Sequence, residues 1–420
     1  MSYTTLDHAL EEQSNFIQAS PESLRQLSGV PAGFRLAGMM LLRARRGTIR
    51  FDLPDGRRVL FDHGEKGPNA VVEVHSFDFA KRAIAGGDVG FAESYMDQEW
   101  STPDLTSVLE FFSENFEAAG QLAVGGMMVR INNMIRHVFN RNSKAGSKRN
   151  IEAHYDLGNE FYELWLDRSM TYSSALYTDP AASLEQAQEA KYARIADELG
   201  LSEDKSVLEI GCGWGGFAEY AAKHRGAKVT CLTISPSQRD WALQRMQREG
   251  LSERVDIRLE DYRDHRGQYD GVASIEMFEA VGEAYWPSYF SKVSESLVHG
   301  AKAALQIITI DDQLFPRYRK RADFIQRYIF PGGMLPSELA LREQVLNAGL
   351  RVENTHYFGR DYAKTLRLWA KVFEEKWGQI EPLGFDERFR RMWCFYLSYC
   401  EAGFDNGRIN VGHFTLNKYS

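Results

Sequence analysis

Val207–Gly216 reads VLEIGCGWGG, an apolar run that holds one acid, Glu209, and breaks into glycines. An apolar β-type run entering a glycine turn and then a helix is how open α/β sheets build a nucleotide pocket at the carboxyl ends of their strands. Outward from this stretch, β-type runs fall at Ser206–Ile210, Lys228–Ile234, Val255–Glu260, Tyr269–Ile275, Lys302–Ile310 and Arg351–Tyr357. They alternate with helical segments from Gly215, after Pro236, from Tyr285 and from Ser337. A late helix runs through Trp393, and Arg408–Asn417 reads as a last strand. Such alternation predicts an α/β fold, a doubly wound, mostly parallel seven-stranded Rossmann-like sheet covered on both faces. Ser235-Pro236 is a strong helix start, a capping hydroxyl followed by proline at the first helical position.

The chain has 420 residues, more than one typical domain. Residues 1–125 read as a smaller α+β domain associated with lipid or membrane. It has helical signals to Ala44, a hairpin over Thr48–Phe61 turning at Pro54-Asp55-Gly56, and a strand at Ala70–His75. Residues 126–150 read as a basic amphipathic helix and a polar linker, NRNSKAGSKRN, and 151–420 as the catalytic domain.

At 44% hydrophobic and 26% charged residues the composition is that of a globular protein. No run approaches the length of a membrane span, and MSYTTLDHALEEQS lacks the layout of a secretory signal, so a cytoplasmic protein is expected. Cys212, Cys231, Cys394 and Cys400 share no metal-ligand spacing, which predicts thiols with neither disulfides nor zinc. The net charge of -8 argues against a nucleic-acid binder, yet it hides a local patch. Between Glu117 and Glu152 no acid occurs, while Arg130, Arg136, Arg141, Lys144, Lys148 and Arg149 interleave with Met127, Met128, Ile131, Met134, Ile135, Val138 and Phe139. Two readings stay open. One is a solvated helix face with a linker. The other is peripheral docking on the inner, anionic face of a bilayer, at ~1 kcal/mol per basic residue near the surface.

Gly211, Gly213 and Gly216 satisfy G-x-G-x-x-G, but a dinucleotide site wants a carboxylate on the ribose at the end of the second strand. That place holds Thr233-Ile234-Ser235. The acid instead precedes the glycines, as Glu209. S-adenosylmethionine, with its sulfonium and ammonium, suits a glycine turn beside an acid better than a pyrophosphate does. An NAD(P)-dependent oxidoreductase and a purely structural glycine turn remain the alternatives on pattern alone.

Several motifs occur together in order: YDLGN (Tyr155–Asn159), MTYSSA (Met170–Ala175), TIS (Thr233–Ser235), MFEAVG (Met277–Gly282), YIFPGGMLPS (Tyr328–Ser337), FGRDYAKTL (Phe358–Leu366) and YLSYCEAGF (Tyr396–Phe404). With the glycine turn, they resemble the cyclopropane-fatty-acyl-phospholipid synthase family over residues 150–420. GFAESYMDQEW (Gly90–Trp100) resembles the end of the N-terminal domain of its long members.

The resemblance implies a methyltransferase-type sheet and S-adenosylmethionine bound by Tyr172, Ser173, Gly211, Gly213, Trp214, Thr233 and Gln238. Leu259 and Glu260 would lie against the adenine. It implies carbon transfer to the double bond of an unsaturated acyl chain in membrane phospholipid, giving a cyclopropane ring or, alternatively, a methylene- or methyl-branched or furan-precursor chain. A homodimer is suggested by related enzymes alone.

Members of that family hold a bicarbonate ion as base. By motif its site here would be Ser174, Glu279, Ile308 and Tyr362, with Glu279 and Tyr362 catalytic. Cys400 falls at a cysteine marked as active-site in the family, although the chemistry demands no thiolate. Three departures stand out: Ala280 and the Leu305–Ile310 strand lack the family's usual histidines, with Gln306 or Ile308 at the second position, and Ser174 replaces a cysteine.

Overall fold

The computed structural model describes residues 16–115 and 157–418. The basic residues Arg130, Arg136, Arg141, Lys144, Lys148 and Arg149, and the linker expected beside them, lie outside the described residues. The chain divides into two compact units, residues 1–134 with 385–406, and residues 135–384 with 407–420.

In the first unit, β1 (Phe16–Gln18), β2 (Arg46–Asp52), β3 (Arg58–Asp62), β4 (Glu65–Val74) and β5 (Trp100–Ser101) form a sheet in the order β1-β3-β2-β4-β5. The expected hairpin is present. Ile49 and Phe51 pair across it with Phe61 and Val59, and these residues enter a core shared with Phe34 and Phe79. The helix Glu387–Asp405 also belongs here, although the sequence grouped it with residues 151–420. The reason is the use of its side chains. Arg391 donates to the Trp100 carbonyl at 2.8 Å and lies 3.9 Å from the centroid of the Tyr95 ring, against which Phe395 also packs.

The second unit carries β6 (Ser206–Ile210), β7 (Lys228–Thr233), β8 (Val255–Leu259), β9 (Tyr269–Ile275), β10 (Leu297–Ile310), β11 (Leu350–Tyr357) and β12 (Ile409–Lys418). Their order is β11-β12-β10-β9-β6-β7-β8. Every pairing is parallel except the two made by β12, so the expected seven-stranded, mostly parallel sheet is present. Alternation along β6 sends Leu208 and Ile210 into one apolar layer and Val207 into another, which buries the sheet on both faces. Ser235 caps the helix Pro236–Arg248 by accepting from the Gln238 amide at 3.3 Å.

Chain order reverses between β6 and β9, since β7 and β8 extend to one side and β10 to the other. In doubly wound sheets the crevice outside the strand ends at such a switch point receives the ligand. The glycine turn stands at that place. Gly211 has φ +83°, and a Cβ there would come within 2.5 Å of Met277 Cγ, so the segments leaving β6 and β9 meet without room for a side chain.

Candidate active site

Period-two alternation puts Glu209 on the same face as Val207, and its register partner on β7 is Cys231. Glu209 is 2% exposed, and the hydrogen bond to its carboxylate is from the Cys231 thiol at 3.6 Å. Burial raises its pKa to about 8, against the pull of that thiol and of Arg245 and Lys191. A weakly partnered acid in this position favours a cationic ligand. At the end of β7, Thr233 donates to Gln238 Oε1 at 3.1 Å, and both residues are buried. Leu259, at the end of β8, is 45% exposed, an apolar surface on the rim. Glu260 donates its amide to the Thr233 carbonyl and turns its carboxylate to His265. Trp214 is buried, its indole nitrogen 2.8 Å from Asn159 Oδ1.

Tyr172 packs its ring against Tyr162, Trp165 and Trp369, with centroids 5.4–5.6 Å apart, and Trp369 in turn meets Tyr362 at 6.2 Å. Phe278 of the MFEAVG motif instead fills the apolar layer beneath the sheet, together with Trp286. Beside Tyr172, the Ser173 hydroxyl accepts from Lys191 at 2.7 Å. Lys191 lies on the helix Leu184–Glu198 and is fully enclosed. Burial draws its pKa down to about 7, opposed by the charges of Glu276, Asp167 and Glu209.

The end of β9 supplies a second group of acids. The carboxylate of Glu276 accepts from the Ser174 amide at 2.8 Å, Gln306 Nε2 at 2.6 Å and the Tyr362 hydroxyl at 2.6 Å. Burial raises its pKa, while Tyr362, Ser174, Lys191 and Gln306 all pull it down. Gln306 is held from behind by His413, whose Nε2 lies 2.8 Å from Gln306 Oε1. Burial drives the His413 pKa well down, so its imidazole is neutral and Nε2 donates. Glu279 accepts from the Ile308 amide at 2.5 Å through Oε1, while its enclosed Oε2 has no partner among the described residues. Burial and then the charge of Glu276 raise the Glu279 pKa to about 8.

The second unit therefore gathers Tyr172, Ser173, Ser174, Glu209, Gly211, Gly213, Trp214, Thr233, Gln238, Glu279, Ile308 and Tyr362 around the switch point. Cys400 lies on the helix Glu387–Asp405 of the first unit. Of the four residues expected to cradle a free anion, three are committed to carboxylates of the chain itself, Ser174 and Tyr362 to Glu276, and Ile308 to the fourth, Glu279. Bicarbonate does not fit that site as it stands. Of the two candidates for the missing histidine's place, Gln306 turns its side chain to the cluster and Ile308 offers its backbone amide. Glu276, Lys191 and His413 were not foreseen. The available signal for Glu276 was an acid directly after a buried strand, whereas Glu209 was marked by lying inside one.

With this geometry in place, residues 142–414 match the family described as mycolic acid cyclopropane synthetase. The chain belongs to that family. A tuberculostearic acid methyltransferase of Mycobacterium tuberculosis is 40% identical over 345 residues, 80% of this chain and 80% of its own. A cyclopropane-fatty-acyl-phospholipid synthase of Escherichia coli is 35% identical over 352 residues, 80% of this chain and 84% of its own. A solved mycolic acid cyclopropane synthase, complexed with SAH and CTAB, superposes with a TM-score of 0.61 at 30% identity, covering 64% of this chain and 98% of its own. The protein is thus an S-adenosylmethionine-dependent methyltransferase of this family. The buried, weakly partnered Glu209 beside a glycine turn fits such a cationic donor.

An acid whose pKa is raised by folding ionises first in the unfolded chain, so its burial costs stability as pH climbs from the unfolded value toward the folded one. For Glu209 that window runs from 4.5 to about 8. Ligand-free Glu209→Gln is expected to match the wild type near the bottom of this window. At its top the variant should exceed the wild type by on the order of 4 kcal/mol in urea unfolding. A difference independent of pH would show that Glu209 is not buried against its charge.

Proposed function

We propose that the protein transfers a carbon from S-adenosylmethionine to the double bond of an unsaturated acyl chain in membrane phospholipid and closes it into a cyclopropane ring. The observation that carries this reading is the meeting of two acid groups at one switch point. Glu209 and the glycine turn leave β6 where Glu276, Glu279 and the ring series Tyr172, Trp369 and Tyr362 gather at the end of β9.

When bound, the donor supplies a methyl group already activated by its positive sulfur. Glu209 would hold the cationic end of that donor, Gly211 and Gly213 would allow backbone approach, and Thr233 and Gln238 would take the ribose hydroxyls. Tyr172 and Ser173 would complete the pocket, with Leu259 and Glu260 against the adenine. No side-chain nucleophile is required. The remaining demands are alignment, which supplies up to ~7–11 kcal/mol in favourable cases, and stabilisation of a carbocation. Aromatic faces attract a cation through their quadrupoles without trapping it, a role suited to Tyr172, Trp369 and Tyr362. Glu279, with its pKa near 8, is mostly neutral at pH 7 and can offer a proton as hydrogen-bond donor without adding charge.

A second reading has its own support. The relative at 40% identity is named for tuberculostearic acid, and Ala280 and Gln306 stand where the family's usual histidines are absent. Loss of a neighbouring proton in place of ring closure would give a methylene-branched chain. Purified protein, unsaturated phospholipid vesicles and methyl-labelled S-adenosylmethionine separate the two, because the ring and methylene products are isomers with different fragmentation in mass spectrometry. A labelled ring product is expected. A methylene product would select the second reading, and no labelled lipid would defeat both.

Among the described residues no helix is long and apolar enough to cross a membrane. We propose that the basic stretch from Arg130 to Arg149 brings the protein to an anionic bilayer. Charge reversal at Arg136, Arg141 and Lys148 is expected to weaken co-sedimentation with anionic vesicles, more at low salt than at high. Unchanged binding would remove that surface from the account.

A further inference from the structure

We infer that Glu276 is the built-in base of this enzyme, its carboxylate occupying the cradle in which the family holds a bicarbonate ion. The inference deepens the proposed lipid reaction and rests on it. The geometry is that of a bound anion. Three groups converge on the two oxygens of Glu276, at 2.6–2.8 Å, and each of them donates. Two of the three, the Ser174 amide and the Gln306 side-chain amide, can only donate and both meet Oε1; with the Tyr362 hydroxyl donating to Oε2, an ionised carboxylate is satisfied on both oxygens.

The backbone supports the same assignment. Glu276 sits at φ +49°, in the left-handed region that glycine enters freely and other residues rarely enter. The strain is held by what surrounds it. The Glu276 amide donates to the Gln306 carbonyl at 2.9 Å while the Gln306 side chain grips the carboxylate, and His413 fixes Gln306 in turn. Gln306 thereby does from a side-chain amide what a histidine on this strand would do for a free ion. The charge of the buried Lys191 pulls the Glu276 pKa down, while burial draws the lysine itself toward neutrality.

The reaction then balances within the chain's own groups. The alkene π pair forms a bond to the methyl carbon as the carbon–sulfur bond breaks, its electrons staying on sulfur. A cation is left on the other alkene carbon. Glu276 takes a proton from the new methyl group, and the C–H pair closes the second ring bond. The carboxylic acid so formed returns its proton to solvent after the product leaves.

The test compares wild type, Glu276→Gln and Glu276→Gly in buffer scrubbed of carbon dioxide and in buffer with added bicarbonate. Binding of S-adenosylhomocysteine serves as the check of folding. Wild type is expected to turn over equally in both and to bind no ¹³C-labelled bicarbonate by NMR. Glu276→Gln should lose about 100-fold or more in turnover in both buffers. Glu276→Gly should lose as much when scrubbed, bind labelled bicarbonate, and regain roughly tenfold on its addition. A residue that merely braced the Ser174 segment would show no such rescue. Bicarbonate bound to wild type, a wild type that fails when scrubbed, or a fully active Glu276→Gln would each overturn the inference. If wild type methylates no lipid yet excludes bicarbonate while Glu276→Gly binds it, the cradle assignment stands and the lipid reading falls.

Discussion

Enclosing carboxyl groups where the sheet offers few cations is the constraint on which this site depends. Glu209, Glu276 and Glu279 stand at the ends of β6 and β9, and burial raises the pKa of each. A carboxylate removed from water must be neutralised, paired or hydrogen-bonded, and these three resolve the demand differently. Glu276 is hydrogen-bonded on both oxygens. Glu279 is held on one oxygen and leaves the other without a partner among the described residues. Among the described residues Glu209 has only a thiol for a hydrogen-bond partner, and Lys191, itself pulled toward neutrality, is drawn in among them. The arrangement is costly in the free protein and is offset when a cation enters, which gives binding of a sulfonium donor its electrostatic basis.

The fold holds these groups together by register. Glu209 lies opposite Cys231 on β7, and Gln306 lies opposite His413 on β12. β12 runs against its neighbours, which brings a residue from near the end of the chain behind Gln306. Ser174 and Tyr362 come from a loop and a helix far apart in sequence, and the Glu276 carboxylate ties them. Positioning in this site is therefore done by the acid itself as much as by the elements around it.

Much of this was legible in the sequence because strands buried on both faces leave a plain record. Tyr269–Ile275 has the bounds expected of it, and the Ser235-Pro236 helix start is present as read. Glu209 could be found because an acid inside an apolar run is conspicuous. Lys191 could not, since LEQAQEAKYARIADE carries the polar composition of a solvated helix and nothing local marks one lysine as enclosed. His413 was unreadable for another reason: its partner is set by strand order, which local pattern does not encode. The helix Glu387–Asp405 was grouped with the wrong unit because its choice of partner depends on contacts with Tyr95 and Trp100, about 290 residues earlier.

Proton release on donor binding is the direct measure of this account. If Glu209 is held mostly protonated near pH 7 and the donor's positive charge makes it ionise, calorimetric titration with S-adenosylmethionine must release protons. The apparent enthalpy would then depend on the ionisation enthalpy of the buffer. That dependence, lost in Glu209→Gln, is the result predicted. An enthalpy identical in all buffers for the wild type would contradict the claim that the site buries its acids to await a cation.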